Sequence, residues 1–505
     1  MDWKQLKQTY PQDQDLPARA NRLTALMRVR DCTQYDDIPN PFNSEYNGAG
    51  EYIPLDKRRP SVRTNMCATV VDESASLVFG EMHWPSLTAD DQNVTGAMAD
   101  LDRECALPAV LIEAVIAGSV GSSALLIETV DRKPCISLHE TRYLSPHWDA
   151  AGELLLVTQY YKVKGSDLAA QGWTIGVDDL PAVFWWRREW DRKECRVYVP
   201  TRVADGLPGR IDKERTTQHG LGFVPWVWMA NMAPPGTVDG PCTFERAIDT
   251  VIECDYLLSQ SGRGLKYSSD PKLVIKAGRG APAGADGDGG TTGGAASALI
   301  LPMDGDAKML EINGDASGAM LAQYKELRAI VMEQIHGNRA SADKISAAQS
   351  GRAMEMMCQS LVWLADRLRL SYGEYGLLAL YRMICRFSHA LTGGIRIGGK
   401  DHVGLDDTGL ALQWPPYFPS TDPELLQLAQ GLATAVAAGF MSNETACSIY
   451  AAKVGTASPQ EEWNRVLDEL SDPVLIAKRQ AAANAAKADR QAAGAGRTET
   501  RQVTA

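Results

Sequence analysis

The sequence predicts an α+β protein with more than one domain. Three observations point there. Apolar residues recur at three- and four-residue spacing in the first 120 residues and again after Thr243. Between Ser123 and Trp228 that period gives way to short β-branched and aromatic runs punctuated by Gly, Pro and Asp, the pattern of a mostly antiparallel sheet. The chain is also long: its 505 residues, 45% hydrophobic and 23% charged, allow several hundred residues of folded core.

Taken in order, residues 1–59 are polar and rich in Pro and Asn, so a helix near Leu16–Arg30 followed by an irregular arm is expected. Met66, Val70, Val71, Ala75, Leu77 and Val78 then recur at helical spacing, with Gly80 where the helix would stop. A second amphipathic helix is expected over Leu101–Gly118. The segments ALLIETV, CISLHE, LLLVTQYYKV, AVFWWRREW, CRVYVP and FVPWVWM read as strands. Their tryptophans (Trp185, Trp186, Trp190, Trp226, Trp228) suit core packing better than a ligand cage.

Helical spacing returns at Thr243–Tyr267, where Asp255 and Ser259 fall among apolar positions. PKLVIKAG reads as a strand, the Gly/Ala-rich stretch 278–298 as a mobile loop, and 299–312 as two short strands. A helix over 316–336 follows. Residues 349–391 form the longest periodic run, which as one unbroken helix would span on the order of 60 Å, with Gly373 and Gly376 as sites for a kink. Strand-like patterning at 393–413 leads to three C-terminal helices that open at Asp422, Ser442 and Ser458, each an N-capping residue. The Ala-rich tail beyond 477 is expected to fray.

Chemistry is sparse. The ten cysteines include no C-x-x-C pair, which argues against a zinc ribbon, a thioredoxin-type site or a disulfide framework. The seven histidines form no metal-binding grouping, and Asp286-Gly-Asp288 matches only part of a calcium loop. Gly394 to Asp401 (GIRIGGKD) approaches a phosphate-binding loop, but Asp401 stands where a hydroxyl must ligate magnesium. No catalytic residue, cofactor or metal site is therefore expected. The net charge of −12 disfavours a clamp that grips nucleic acid by its phosphates, though DNA could slide past such a surface. No apolar run approaches the roughly 20 residues of a membrane helix, and MDWKQLKQTYPQDQD lacks the apolar stretch of a secretory signal.

The order of four segments resembles the portal proteins of tailed bacteriophages over about residues 55–470. These are NMCATVVDESASLVFGE (65–81), the helix 243–267 with PKLVIKAG, ISAAQSGRAMEMMCQSL (345–361) with its Ser350-Gly351-Arg352-Ala353 step, and PPYFPSTDPELLQLAQGLATAVAAGFMSNETA (415–446). The resemblance implies a portal fold: a wing of helices and mainly antiparallel sheet, a helical stem, a small α/β clip and a helical crown. Carried over, residues 1–59 are an N-terminal arm, 60–241 and 349–413 the wing, 242–268 and 316–336 the stem, 269–315 the clip, 337–348 a tunnel loop, 414–480 the crown and 481–505 a tail.

The same resemblance implies a function. The chain would assemble with itself into a ring, commonly of twelve subunits. Double-stranded DNA would pass through the ring without sequence specificity during packaging and ejection. The ring would dock the terminase large subunit, head-completion and adaptor proteins, and the major capsid and scaffolding proteins. No membrane is involved; the protein would sit at the capsid's portal vertex and, during assembly, in the host cytoplasm. Asn338, Arg339, Ser341 and Lys344 of the tunnel loop are the candidate DNA contacts, Arg339 and Lys344 by phosphate attraction. Two other readings stand beside this one: a capsid-associated minor head protein, and a packaging ATPase using Gly394–Asp401.

Overall fold

The computed structural model describes residues 1–268, 273–276, 298–301, 314–337, 358–418, 422–454 and 459–471. The described residues are 48% helical and 20% strand, with helices and antiparallel sheets mixed, an α+β protein. The described residues fall into two compact units, one of residues 1–337 with 358–414 and one beginning at Pro415.

The first unit opens with a helix the sequence reading misses. Helix α1 (Trp3–Gln8) is only six residues long, too short to show a period, yet Asp2 and Gln5 form a reciprocal capping box. Helix α2 (Ala18–Arg30) follows as predicted. The arm after it is irregular as expected but packed: Tyr35, Ile38, Phe42 and Arg58 are buried, and the two-residue strands β1 (Asn40–Pro41) and β2 (Arg58–Arg59) pair in parallel. The buried Arg58 guanidinium donates to the Ile53 carbonyl at 2.8 Å. Helix α3 (Met66–Phe79) buries Met66, Val70, Val71, Ala75 and Val78 of the expected set, while Leu77 is only half-buried.

After strand β3 (Ser86–Thr88), the single helix expected at Leu101–Gly118 is two helices, α4 (Gln92–Glu104) and α5 (Leu107–Gly118). Pro108 explains the break. It lacks an N–H, and its ring would strike the carbonyl four residues back if the helix ran on. Ala106 instead takes a left-handed conformation, φ +48°, and starts a new helix.

The β region forms two sheets, not one. Strands β4 (Ser122–Val130) and β5 (Lys133–His139) form a hairpin. The 3₁₀ turn Thr141–Tyr143 then turns the chain into a separate sheet. That sheet holds β6 (Leu144–Trp148), β7 (Leu154–Lys164), β8 (Val183–Trp190), β9 (Glu194–Tyr198), β10 (Thr201–Arg202) and β11 (Ile211–Gln218). Its order is β11-β9-β8-β7-β6, with β10 on β8 and a short helix, α6 (Gly165–Ala170), between β7 and β8. Strand β12 (Trp226–Ala230) returns to the first sheet, in the order β12-β4-β5. Ala124, Leu126 and Trp226 of the first sheet meet Leu144, Val157, Trp190 and Cys195 of the second in one core. Trp190 and Trp226 pack edge to face with ring centres 4.9 Å apart, the packing role expected for them.

Helices α7 (Ile248–Ser268) and α8 (Gly314–Gln334) pack on each other. Between them the chain forms two short strands, β13 (Leu273–Lys276) and β14 (Ala298–Leu301), paired in parallel. The insert 278–297, with Asp286 and Asp288, lies outside the described residues, as do 302–313. The expected long helix begins, within the described residues, at Gln359; 349–357 lie outside them. It is not uniform. Helix α9 (Gln359–Leu368) runs into a π-helical stretch, Arg369–Leu377, and then into α10 (Leu378–Ala390). Gly373 and Gly376 sit in the wide turn for lack of room: a Cβ on Gly373 would strike the Trp414 ring, and one on Gly376 would lie 2.5 Å from Met229 Sδ.

Strands β15 (Ile395–Ile397) and β16 (Lys400–His402) form a tight hairpin, and β17 (Ala411–Gln413) pairs with β3. The second unit holds helices α11 (Asp422–Ala437), α12 (Asn443–Val454) and α13 (Pro459–Ser471). Ser442 caps α12 as expected, its hydroxyl accepting the Thr445 N–H at 3.1 Å. Ser458 and the tail lie outside the described residues.

Candidate functional site

The four candidate DNA contacts, Asn338, Arg339, Ser341 and Lys344, lie outside the described residues. What is described is the pair of anchors from which their segment leaves and to which it returns. Helix α8 ends in a Schellman turn. His336 takes the left-handed conformation, φ +59°, and the Gly337 N–H reaches back to the Met332 carbonyl at 2.8 Å. Gly337 is pressed into the fold: a Cβ there would lie 2.6 Å from Met332 Sδ and 2.8 Å from Val70 Cγ2 of α3. On the return side the Ser360 hydroxyl of α9 donates to the Gly337 carbonyl at 3.3 Å. Gly337 and Ser360, which flank residues 338–357, thus meet beside α3.

Charge at this point is mixed. Burial holds the His336 imidazole below its usual pKa, and the Arg367 and Arg246 guanidiniums lower it further. His336 is thus neutral at neutral pH beside two exposed cations. Glu333 and Asp366 lie on the same helices, so the anchor is no uniformly basic patch. The intervening sequence holds three cations (Arg339, Lys344, Arg352) against two acids (Asp343, Glu355), a local excess of positive charge in a chain of net −12. The sequence reading misses the anchors, because a non-glycine left-handed residue leaves no signature.

A second polar node ties the N-terminal arm to α7. Asp255 is fully buried. It accepts the Tyr35 hydroxyl at 2.9 Å and both the N–H and the hydroxyl of Thr64 at 2.8 Å. One turn on, Ser259 accepts the N–H groups of Ser61 and Val62 at 3.0 and 3.1 Å. Burial raises the Asp255 carboxyl to about 6, against the lowering effect of the Thr64 and Tyr35 hydrogen bonds and of Arg63. A signal was present in the sequence: a carboxylate and a hydroxyl at apolar positions of one helix period.

The phosphate-loop resemblance at Gly394–Asp401 does not survive the geometry. A phosphate-binding loop joins a strand to a helix N-terminus, whose N–H groups meet the anion. Here Gly398 and Gly399, φ +60° and +73°, make the turn between β15 and β16. Asp401 pairs with Arg396 at 2.8 Å and Arg132 at 2.9 Å, which hold its carboxyl down at about 2. The segment is an ion-paired hairpin.

Among the described residues no helix is long and apolar enough to cross a membrane. Compared with known proteins, the chain matches no family model and no curated protein.

Proposed function

We propose that the chain is a portal subunit of a tailed bacteriophage, one copy of a ring that conducts DNA through a capsid vertex and docks the packaging terminase and head-completion proteins. The observation that supports this reading is the contact of Ser360 with Gly337, which joins the end of α8 to the start of α9 on either side of the segment in which the resemblance places the tunnel loop, 337–348.

The surrounding chain path supports the reading. Two packed helices flank a small strand pair, as a stem flanks a clip. A sheet-rich body precedes them, and a separate helical unit follows Trp414. The acidic balance suits a conduit, since a polyanion must pass without being gripped. Arg339 and Lys344 would touch phosphates in passing. The double variant Arg339→Glu/Lys344→Glu is expected to form rings normally while DNA filling of capsids falls by roughly an order of magnitude. Normal filling by that variant would contradict the assignment of the loop.

A further inference from the structure

The two sheets and α10 line a cavity of about 310 Å³ that the conduit reading does not use. Its walls are mainly apolar. Ile127 of β4, Trp190 of β8 and Phe387 of α10 are buried, and Leu221 and Leu391 are half-buried. One charged pair stands among them. Arg188 of β8 reaches across to Glu128 of β4, its Nη2 donating to Glu128 Oε1 at 2.9 Å. The two side chains are 28% and 47% exposed, so the pair stands where the cavity opens to solvent. The guanidinium is held in place: it lies over the Trp190 ring, 4.5 Å from its centre, and its Nε donates to Cys195 Sγ at 2.9 Å. It is not saturated. Among the described residues Nη1 has no acceptor and Glu128 Oε2 no donor. The lining carries no other charge at neutral pH, since burial holds the His219 imidazole below its usual pKa.

We propose that this cavity binds a free α-amino acid with a large apolar side chain, its carboxylate on Arg188 and its ammonium on Glu128. Three observations select that class. Size is the first: a volume of about 310 Å³ lies at the lower end of small-molecule pockets, room for one amino acid rather than a nucleotide. Charge is the second. A lone acid would meet the Glu128 carboxylate and a lone amine the Arg188 guanidinium, whereas a zwitterion satisfies both and leaves the site neutral. Spacing is the third. The Arg188 donor and Glu128 acceptor sit 2.9 Å apart, and in an amino acid the nitrogen lies about 2.5 Å from the carboxyl carbon. The opposed pairs therefore align side by side at the opening. The apolar side chain is left to fill the space between Ile127, Trp190 and Phe387. The proposal goes beyond the conduit reading and does not depend on it.

The test is equilibrium dialysis of the full chain against L-leucine and L-phenylalanine. Saturable binding is expected with a Kd on the order of 1 mM or tighter. Three analogues of L-leucine each lack one feature: glycine the side chain, isocaproate the ammonium, isoamylamine the carboxylate. Each should bind more weakly than L-leucine by a factor of about ten or more. Glu128 is exposed, so Glu128→Gln should fold like the wild type, as its unfolding midpoint would show, and the wild-type series needs no variant. In Glu128→Gln, isocaproate should bind at least as well as L-leucine, a reversal that loss of a merely structural ion pair would not produce. Failure of both amino acids to bind saturably, glycine or either other analogue binding the wild type as tightly as L-leucine, or undiminished discrimination against isocaproate in the variant would overturn the proposal.

Discussion

Asp255 is acceptor-only when ionised, and its three hydrogen bonds join the arm at Tyr35 and Thr64 to α7. Removing the acceptor strands the buried Tyr35 hydroxyl and the half-buried hydroxyl and N–H of Thr64, so Asp255→Ala is expected to cost about 2–3 kcal/mol in denaturant unfolding. Asp255→Asn behaves differently. The folded carboxyl titrates near 6, above its ordinary value of 3.8. The native state therefore holds its proton more tightly than the unfolded chain. Stability from this group is complete below the unfolded pKa and is lost as pH rises through about 6, a loss on the order of 3 kcal/mol. The amide cannot ionise, so Asp255→Asn should remove that part of the decline between pH 4 and pH 7. Parallel stability–pH curves for the variant and the wild type would show that the carboxylate does not carry this dependence.

At the scale of elements, period and punctuation were readable where a helix buries one face. The stripe on α3 and the Ser442 cap follow directly from residue spacing. Two features were not readable. The break between α4 and α5 is written in Pro108, but both helices keep an apolar face, so periodicity joined them across the proline. The division into two sheets depends on a 3₁₀ turn at Thr141–Tyr143, a segment with no Gly or Pro to mark it. The π-helical stretch lies between these cases. Gly373 and Gly376 marked the place of an irregularity, but its cause, the Trp414 ring from 41 positions on, is a tertiary contact. Gly373→Ala forces a methyl group against that ring and is expected to cost about 1–3 kcal/mol, seen as a lower Tm. An unchanged Tm would mean that the turn is wide for some reason other than the indole.

At the scale of the whole molecule, composition alone leads to an acidic α+β protein without visible chemistry. The order of segments adds the conduit reading. The structure adds the contact between Gly337 and Ser360 and the uncharged helical face after Leu425. The contact was hidden because it is made by one hydroxyl, one carbonyl and a left-handed histidine, none of which has a sequence period. The face was in plain sight as 19 uncharged residues, but only the exposure of Leu426 and Phe440 separates it from an ordinary core helix. The proposed conduit requires copies that assemble around a common axis. Electron microscopy of the purified full chain tests that most directly. The account predicts closed rings with a central channel wide enough for duplex DNA; monomers, or assemblies without a channel, would contradict it.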